Sequence, residues 1–356
     1  MNAANTVDAM NTVNTMSDVN ANAANAMSDT NANAMFEIRN LSMHFPLGKM
    51  KTPDGGRRKV VLKAVHDLSF EVMDGECLGV VGESGSGKST LARCILKLLQ
   101  PTSGEIIYDG KDITTLAAPE MKKLRREMQM VFQNPRSSFN PKMQVKNILS
   151  SVARFYGMDR AATAERIDYL SRLMSIGDDI TSHKSAELSG GQLQRLALVR
   201  ALIPSPRFLI ADEALSALDV SVQAQILDLF FELKQSLGLT MLFISHDLTV
   251  VEYLCDRAIV LYLGRIMETA SADALFNDPK HPYTKSLIAA KPAIEVGAHR
   301  EPTLLRGEVP DAVNIPEGCR FCIRCPDVVE GLCERAEPEI TEVSKGHFVA
   351  CHLYHG

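Results

Sequence analysis

A glycine-rich segment, residues 82–90, has the residue types and the spacing needed to bind phosphate. Its sequence, GESGSGKST, fits the pattern G-x-x-x-x-G-K-[ST], in which backbone N–H groups surround phosphate oxygens. An apolar run precedes it and a helix-forming stretch at 88–99 follows it, so the positive end of a helix adds to the attraction. We predict that Lys88 reaches the terminal phosphates of a nucleotide and that Ser89 binds Mg²⁺. The predicted nucleotide-binding residues of this segment are Gly82, Ser84, Gly85, Gly87, Lys88, Ser89 and Thr90.

Two adjacent carboxylates, Asp212 and Glu213, follow the apolar run 208–211. A carboxylate at the end of a buried strand beside a phosphate loop can hold Mg²⁺, so Asp212 is a predicted residue of the nucleotide site. Glu213 is predicted to polarise the attacking water molecule as a general base. Acidic residues often follow apolar runs, and this prediction therefore depends on the phosphate loop.

A second segment rich in small residues, 188–192 (LSGGQ), precedes a helical stretch at 193–202. Ser189, Gly190, Gly191 and Gln192 could form another anion site at the start of this helix. An ordinary serine N-cap is the simpler explanation of such a segment taken alone. The residues by themselves leave both interpretations open.

Short apolar runs alternate with helical stretches between residues 68 and 265, which indicates a mostly parallel sheet covered by helices. Proline becomes frequent after residue 268 and a group of cysteines follows, so we place a domain boundary near residue 266. Residues 49–63 contain six basic residues and two adjacent glycines, which predicts an exposed loop. The low complexity of residues 1–34 predicts a disordered tail. The predicted strands are 35–43, 77–81, 128–132, 208–211, 241–244 and 258–263.

The composition of the 356-residue chain argues against several classes of protein. Hydrophobic residues make up 46% and charged residues 23%, as in an average globular protein. The net charge of −5 argues against a nucleic-acid-binding protein, which is more often strongly basic. No run of apolar residues approaches the length of a membrane-spanning helix, so we do not expect the chain to cross a membrane by itself. Residues 1–34 lack the features of a secretory or mitochondrial signal.

Residues 82–90, 188–192 and 208–213, in this order, resemble the ATPase domain of ABC transporters. Smaller motifs agree with this resemblance, which covers about residues 36–356. Gln133 matches the Q-loop of the family, Asp219 its D-loop and His246 its switch histidine. The resemblance implies an α/β fold with a P-loop NTPase (RecA-like) core. The implied organisation is an ATPase domain at 35–265 with a helical subdomain at about 134–200, and a small Cys-rich domain at 266–356.

The resemblance also implies a role for each site residue. Glu213, His246 and Gln133 would be catalytic, and Mg²⁺ would bind beside ATP through Ser89, Gln133 and Asp212. Phe45 matches the position of an aromatic ring that stacks on adenine, although a core phenylalanine explains it as well. Two ATPase subunits would pack head to tail. The residues that would cover the ATP of the opposite subunit are Ser189, Gly190, Gly191 and Gln192.

Within this family the chain is similar to the F-type ATPase subunits of dipeptide and oligopeptide importers. The residues that carry the similarity are 132–135 (FQNP), 138–141 (SFNP), 217–225 (ALDVSVQAQ) and 281–284 (HPYT). It implies a peripheral protein on the cytoplasmic face of the inner membrane. Its implied partners are two transmembrane permease subunits, a paralogous ATPase or a second copy, and indirectly an extracytoplasmic solute-binding protein. The helical stretch 142–182 would receive the coupling helices of the permease.

Three alternatives are weighed against a peptide importer. An importer of nickel or of another small solute fits the same motifs, because other subunits select the substrate. A DNA-maintenance ABC ATPase fits less well, since such proteins place a long coiled coil or a zinc module between the phosphate loop and the catalytic strand. A translation-linked ABC protein usually carries two ATPase domains, and this sequence shows one.

Five of the eight cysteines lie between residues 319 and 351. Stable disulfides are uncommon in the cytoplasm, so clustered thiols there indicate a metal site. Zinc and an iron–sulfur cluster both take four thiolates, and spacing alone does not choose between them. The importer resemblance implies a [4Fe–4S] cluster on Cys319, Cys325, Cys333 and Cys351, with Cys322 as a spare thiol or an alternative ligand. The other cysteines, which we predict to be buried packing thiols, are Cys77, Cys94 and Cys255.

Overall fold

The computed structural model describes residues 34–51, 57–216, 218–290, 310, 312–313 and 315–354. The predicted disordered tail, residues 1–34, lies outside this range except for Ala34. The strands are β1 (Ala34–Lys51), β2 (Arg57–Met73), β3 (Cys77–Val81), β4 (Ser103–Tyr108), β5 (Lys111–Asp112), β6 (Met128–Val131), β7 (Phe208–Asp212), β8 (Thr240–Ile244), β9 (Arg257–Tyr262), β10 (Arg265–Ser271), β11 (Ile340–Ser344) and β12 (His347–Ala350). The α-helices are α1 (Lys88–Ile95), α2 (Ala118–Leu124), α3 (Val145–Phe155), α4 (Arg160–Leu173), α5 (Gly190–Leu202), α6 (Val220–Leu237), α7 (Leu248–Leu254), α8 (Ala272–Asn277) and α9 (Pro282–Ala289).

An eight-stranded sheet has the order β11-β12-β10-β9-β3-β8-β7-β6. Its five strands from β9 to β6 are mutually parallel, which confirms the prediction of a mostly parallel sheet. Parallel strands bring their carboxyl ends to one edge of a sheet. The phosphate loop follows β3, Gln133 follows β6, Asp212 ends β7 and His246 follows β8. The topology alone therefore gathers the predicted site residues at this edge.

The central strand β3 is buried on both faces, which explains its uninterrupted apolar sequence. Alternate side chains of a strand point to opposite faces, so Leu78 and Val80 pack into one apolar core and Cys77 and Val81 into another. The prediction that three cysteines are buried packing thiols is confirmed. Cys77, Cys94 and Cys255 are 0%, 0% and 7% exposed.

A second sheet, with the order β2-β1-β4-β5, is antiparallel throughout. The prediction of an exposed loop at 49–63 is wrong for the described residues of that range. β1 and β2 form a long hairpin, and Lys49 lies opposite Lys59 in its register. The hairpin continues past the apolar residues that indicate a strand in the sequence. Backbone pairing between the two long strands, and not the apolar pattern, therefore determines the structure here. Residues 52–56 lie outside the described residues.

The helical stretch predicted at 142–182 is confirmed as α3 and α4, followed by a 3₁₀ turn at 178–182. The side chain of Asp159 caps α4 by accepting hydrogen bonds from the N–H groups of Ala161 and Ala162. The helix predicted at 88–99 is shorter, and α1 ends at Ile95. Lys97 adopts a left-handed φ of 52°, which ends the helical path before the proline at 101.

The boundary predicted near residue 266 lies within β10. This strand pairs with β9 on one side and with β12 on the other, so the eight-stranded sheet continues across the boundary. The C-terminal hairpin β11–β12 is thereby joined to the same sheet as β3. The division into domains at this position stays a prediction.

Candidate active site

The phosphate loop connects β3 to α1 and is shaped by two glycines that no other residue could replace. A Cβ atom at Gly82 would lie 2.1 Å from the carbonyl oxygen of Leu261, and one at Gly87 would lie 2.1 Å from that of Ala64. Both glycines also have positive φ, 150° and 104°. The loop therefore packs directly on the backbones of β9 and β2, and α1 begins at the phosphate-binding end.

Lys88 is a buried cation inside this loop. Its Nζ donates to the carbonyl oxygens of Gly82 at 2.7 Å and Glu83 at 2.9 Å. Burial lowers the pKa of Lys88, while the charges of Glu213, Asp212 and Glu83 counteract that effect. Its ammonium group is thus held at the loop in a position suited to meeting phosphate oxygens.

Ser89 and Asp212, two of the predicted Mg²⁺ ligands, are in direct contact. The Ser89 hydroxyl donates to Asp212 Oδ1 at 2.9 Å. Burial raises the pKa of Asp212, the hydrogen bond from Ser89 opposes this rise, and the neighbouring charge of Glu213 adds to it. A divalent cation would reverse this balance by favouring the carboxylate, and serine hydroxyl and carboxylate oxygens suit Mg²⁺.

The three predicted catalytic residues come together around Glu213. Gln133 Nε2 donates to Glu213 Oε2 at 2.5 Å, and His246 Nδ1 lies 3.8 Å from Glu213 Oε1. Glu213 has a left-handed φ of 47°, and its N–H donates to the carbonyl oxygen of Ile244 at 2.9 Å. Such a backbone conformation is costly for a residue with a side chain and is often found at active sites. A cavity of about 60 Å³, lined by Glu213 and His246 among others, has room for water at this position.

A cleft of about 340 Å³ brings most of the predicted nucleotide-binding residues together. One wall is the phosphate loop, and Gln133 and Glu213 lie at its catalytic end. Phe45 and Leu62 form an apolar wall from the β1–β2 hairpin. Phe45 is half-buried and lines this cleft, so it is available to a planar ring. The cleft can accept a group with a flat apolar end and a polyphosphate end.

Comparisons with known proteins identify the family of this chain. Residues 65–216 match the family of ABC transporters, and residues 267–333 match the C-terminal region of oligopeptide/dipeptide transporters. The chain is 45% identical to a putative peptide import ATP-binding protein of Brucella ovis, over 89% of this chain and 97% of that protein. It is 40% identical to the oligopeptide transport ATP-binding protein AppF of Bacillus subtilis, over 90% of this chain and 97% of that protein. The chain belongs to the ABC transporter ATP-binding proteins.

Solved structures agree with this assignment. The ATP-binding cassette MJ0796, in its dimeric state bound to ADP and Pi, is 27% identical, with a TM-score of 0.59 over 67% of this chain and 99% of that one. The cbiO1 subunit of Clostridium perfringens is 26% identical, with a TM-score of 0.58 over 69% of this chain and 91% of that one. This ABC ATPase is therefore an ATP-hydrolysing transporter subunit that uses ATP and Mg²⁺. Among the described residues, none of the helices has the length and apolar character needed to span a bilayer.

The signature segment of the ABC ATPase is placed at the start of α5. Ser189 Oγ accepts from the N–H of Gln192 at 3.3 Å, and Gln192 Oε1 accepts from the N–H of Ser189 at 2.9 Å. This reciprocal pair is a capping box, in which Ser189 is the N-cap residue of α5. Residues 189–192 are not among the residues that line the cleft of their own subunit. Asp219 caps α6 by accepting from the N–H of Val222 at 3.0 Å, and Ala217 of the D-loop lies outside the described residues.

Two residues that the sequence analysis missed contact the phosphate loop from the C-terminal part of the chain. Arg324 binds the Glu83 carboxylate through both terminal nitrogens, at 2.7 Å and 3.0 Å. The hydroxyl of Tyr283 accepts from the N–H of Glu83 at 2.9 Å. Tyr283 lies in the HPYT motif and therefore had a sequence signal, whereas Arg324 had none.

The terminal cysteines lie near one another. Cys319, Cys325, Cys333 and Cys351 are buried and Cys322 is partly exposed. Burial, together with the smaller effect of neighbouring thiols, raises the pKa of Cys319 to about 12 and that of Cys325 to about 11. Within the described part of the chain, however, no three His, Cys, Asp or Glu side chains are arranged to hold a metal ion. The metal site on these cysteines therefore stays a prediction.

Proposed function

We propose that this ABC ATPase is the motor of a membrane importer for dipeptides or oligopeptides. The names of its relatives support the substrate class, as does the match of residues 267–333 to the oligopeptide/dipeptide transporter C-terminal region. The observation that carries the motor role is the convergence of Lys88, Asp212 and Glu213 with Gln133 and His246 at one sheet edge.

Each site residue has a proposed task in hydrolysis. Lys88 and the loop glycines bind the phosphates, and Phe45 stacks on adenine. Ser89 and Asp212 hold Mg²⁺, with Gln133 beside them. Glu213 accepts the proton of the attacking water as general base. His246 holds the terminal phosphate and keeps Glu213 and the water in line.

The ATPase works as a head-to-tail dimer in this proposal. Residues Ser189–Gln192 lie outside their own cleft and present a helix N terminus, which suits an anion held by another subunit. ATP binding closes the dimer and hydrolysis reopens it. The Glu213→Gln chain mixed with ATP should double in mass by light scattering, and adding Ser189→Arg should abolish the doubling. A mass that stays monomeric with ATP would indicate that the partner is a paralogous ATPase instead of a second copy.

A groove of about 620 Å³ between the sheet and the helical subdomain is the proposed permease site. Phe132, Phe155 and Arg200 are among its lining residues, and Phe155 is 60% exposed. An exposed aromatic anchor in a concave surface suits the short helices of two transmembrane permease subunits. Docking there would hold the ATPase peripherally on the cytoplasmic face of the inner membrane.

Co-purification of the full chain tests the transport assignment. Two permease subunits, a second ATPase or a second copy, and a peptide-binding protein should be recovered, and peptide should stimulate ATP hydrolysis by the reconstituted complex. Stimulation by nickel or by another small solute, with none by peptides, would instead support the alternative importer. Recovery with DNA and without permease would contradict the proposal.

We propose in addition that Cys319, Cys325, Cys333 and Cys351 bind a [4Fe–4S] cluster, with zinc as the second candidate. The burial and proximity of the thiols support this idea, while their present arrangement does not yet form a ligand set. Anaerobic purification followed by iron, sulfide and zinc analysis is the test. Cys325→Ala should lose the metal and Cys322→Ala should keep it, and the absence of iron, sulfide and zinc from the native chain would refute the site.

A further inference from the structure

Glu83, the second residue of the phosphate loop, forms hydrogen bonds through its N–H, its carbonyl oxygen and its carboxylate. Its N–H donates to the Tyr283 hydroxyl, its carbonyl oxygen accepts from Lys88, and its carboxylate accepts two hydrogen bonds from Arg324. Two of these three partners come from the C-terminal part of the chain, 200 and 241 positions away. The loop is therefore positioned from outside the strand and helix that it connects.

The guanidinium of Arg324 is itself held rigidly. The residue is 6% exposed, and its Nη1 also donates to the Tyr262 hydroxyl at 3.3 Å. Its charge lies over the rings of Tyr262 and Phe321, at 5.8 Å and 6.0 Å from their centroids. Tyr262, Tyr283 and Phe321 contact one another with centroids 4.7–5.4 Å apart. The aromatic rings and the Tyr262 hydroxyl thus fix the side-chain conformation of Arg324 where it contacts Glu83.

The contact of Arg324 with Glu83 also compensates a negative charge in the phosphate loop. A carboxylate within a loop that binds a polyanion repels its ligand, and the partly buried position of Glu83 screens that repulsion less than water would. The cation in direct contact with the Glu83 carboxylate is Arg324, whereas Lys88 bonds to the carbonyl oxygen of Glu83. A bidentate arginine both cancels the charge and fixes the direction of the side chain.

We propose that Arg324 is a positioning residue for nucleotide binding, which neutralises Glu83 and, with Tyr283, holds the phosphate loop in its binding shape. The C-terminal part of the chain thereby sets the affinity of the cleft for ATP and ADP. The inference rests on the proposed role of residues 82–90 as the nucleotide loop.

Equilibrium binding of fluorescent ADP and ATP to the full chain tests this proposal, with Mg²⁺-ATP turnover as the second readout. Arg324→Gln leaves the Glu83 charge uncompensated and should weaken binding roughly tenfold, less than the loss for a fully buried charged pair because the Glu83 side chain is 25% exposed. KM for ATP should rise accordingly, while kcat stays within about twofold because Glu213, His246 and Gln133 are untouched. The double variant Glu83→Gln with Arg324→Gln removes both charges and should regain most of the affinity.

Arg320→Gln is the matched control. Arg320 is an equally buried arginine of the same segment, but it bonds to Glu337 and to the carbonyl oxygen of Leu263 instead of to the phosphate loop. It should leave nucleotide affinity unchanged, and thermal unfolding without nucleotide should show how far each variant is destabilised.

Three results would overturn the proposal: unchanged affinity in Arg324→Gln, an equal loss in Arg320→Gln, or a double variant that binds no better than Arg324→Gln. Lys88→Ala separates this proposal from the assignment of the site. If Lys88→Ala abolishes binding and Arg324→Gln does not weaken it, only the role of Arg324 fails. If Lys88→Ala binds normally, the assignment of the nucleotide loop itself fails.

Discussion

The buried carboxylate of Asp212, a proposed Mg²⁺ ligand, has a cost for folding. It is 3% exposed, and burial is the main reason that its pKa is raised. A carboxyl group whose pKa is higher in the folded than in the unfolded chain binds more protons when folded, so its charge reduces the free energy of unfolding as pH rises through the interval between the two pKa values. At neutral pH the charged form of Asp212 therefore lowers the stability of the chain, and the proposed binding of Mg²⁺ explains why a carboxylate stands there.

Asp212→Asn should stabilise the metal-free, nucleotide-free chain at neutral pH, raising its thermal midpoint by roughly 2 °C if about 1 kcal/mol is relieved. The gain should shrink at acidic pH, where wild-type Asp212 takes up its proton. The stabilisation that Mg²⁺-ATP gives the wild type should be largely lost. Thermal unfolding across pH, with and without Mg²⁺-ATP, measures these effects.

Asp168→Asn is the control, because Asp168 is an exposed carboxylate paired with Arg172 at the surface, where such pairs contribute little. A lower midpoint for Asp212→Asn than for wild type in the absence of ligand would contradict the predicted folding cost of the Asp212 charge.

The positions of Lys88 and Ser89 could be predicted from the sequence because all residues of the phosphate motif are close together in the chain. Lys88 and Ser89 are adjacent to the glycines that shape the loop, so spacing alone predicts where they lie. The contact between Arg324 and Glu83 joins residues 241 positions apart. Neither the types nor the spacing of these residues indicates that they meet.

At the scale of elements, strands buried on both faces were predicted with almost correct bounds. β3, β7 and β8 are apolar apart from Asp212 and Thr240 at strand ends, and strands of a parallel sheet that are buried on both faces have such runs. The far end of the β1–β2 hairpin was predicted as a loop because its residues are polar and basic. The polar residues there form strands because the two segments pair with each other. Such pairing depends on both segments and cannot be predicted from the sequence of one of them.

The groove beside α3 should be needed for assembly with the permease. Phe155→Ala removes the exposed aromatic anchor and should weaken permease binding by about 2 kcal/mol, close to thirtyfold, as for an interface hot spot. Recovery of the permease with tagged ATPase measures the effect.

The control for the groove is Phe231→Ala, which removes another exposed aromatic ring, 42% exposed, that contacts Tyr253 on a surface formed by α6 and α7. This variant should assemble like wild type. Equal losses in both variants would mean that the groove has no special role in binding.

At the scale of the whole molecule, the C-terminal part continues the sheet of the ATPase core. β10 lies between β9 and β12, and Tyr262 of β9 packs on Tyr283 and Phe321. Composition predicted a boundary here because proline and cysteine content changes abruptly. Strands pair through backbone hydrogen bonds, and amino-acid composition does not reveal such pairing. The continuation of the sheet across residue 266 could therefore not be predicted.

A chain that ends at Gly264 should be markedly less stable than the full chain, because it leaves β9 as an unpaired edge and uncovers Tyr262. A chain that begins at Ala34 should keep the thermal midpoint of the full chain, since it retains every described element. Thermal unfolding of the three chains compares them. An unchanged midpoint for the chain ending at Gly264 would mean that residues 265–356 form an independent unit.

The most direct test of the account is steady-state ATP hydrolysis by the Glu213→Gln chain, measured beside ATP binding to the same chain. The substitution keeps the size and the hydrogen bonding of the side chain and removes its ability to accept a proton. ATP should bind with an affinity near that of wild type, and turnover should fall by about a hundredfold or more, in the range of general-base catalysis. Undiminished hydrolysis by this variant would contradict the assignment of Glu213 as the base and, with it, the proposed chemistry of the cleft.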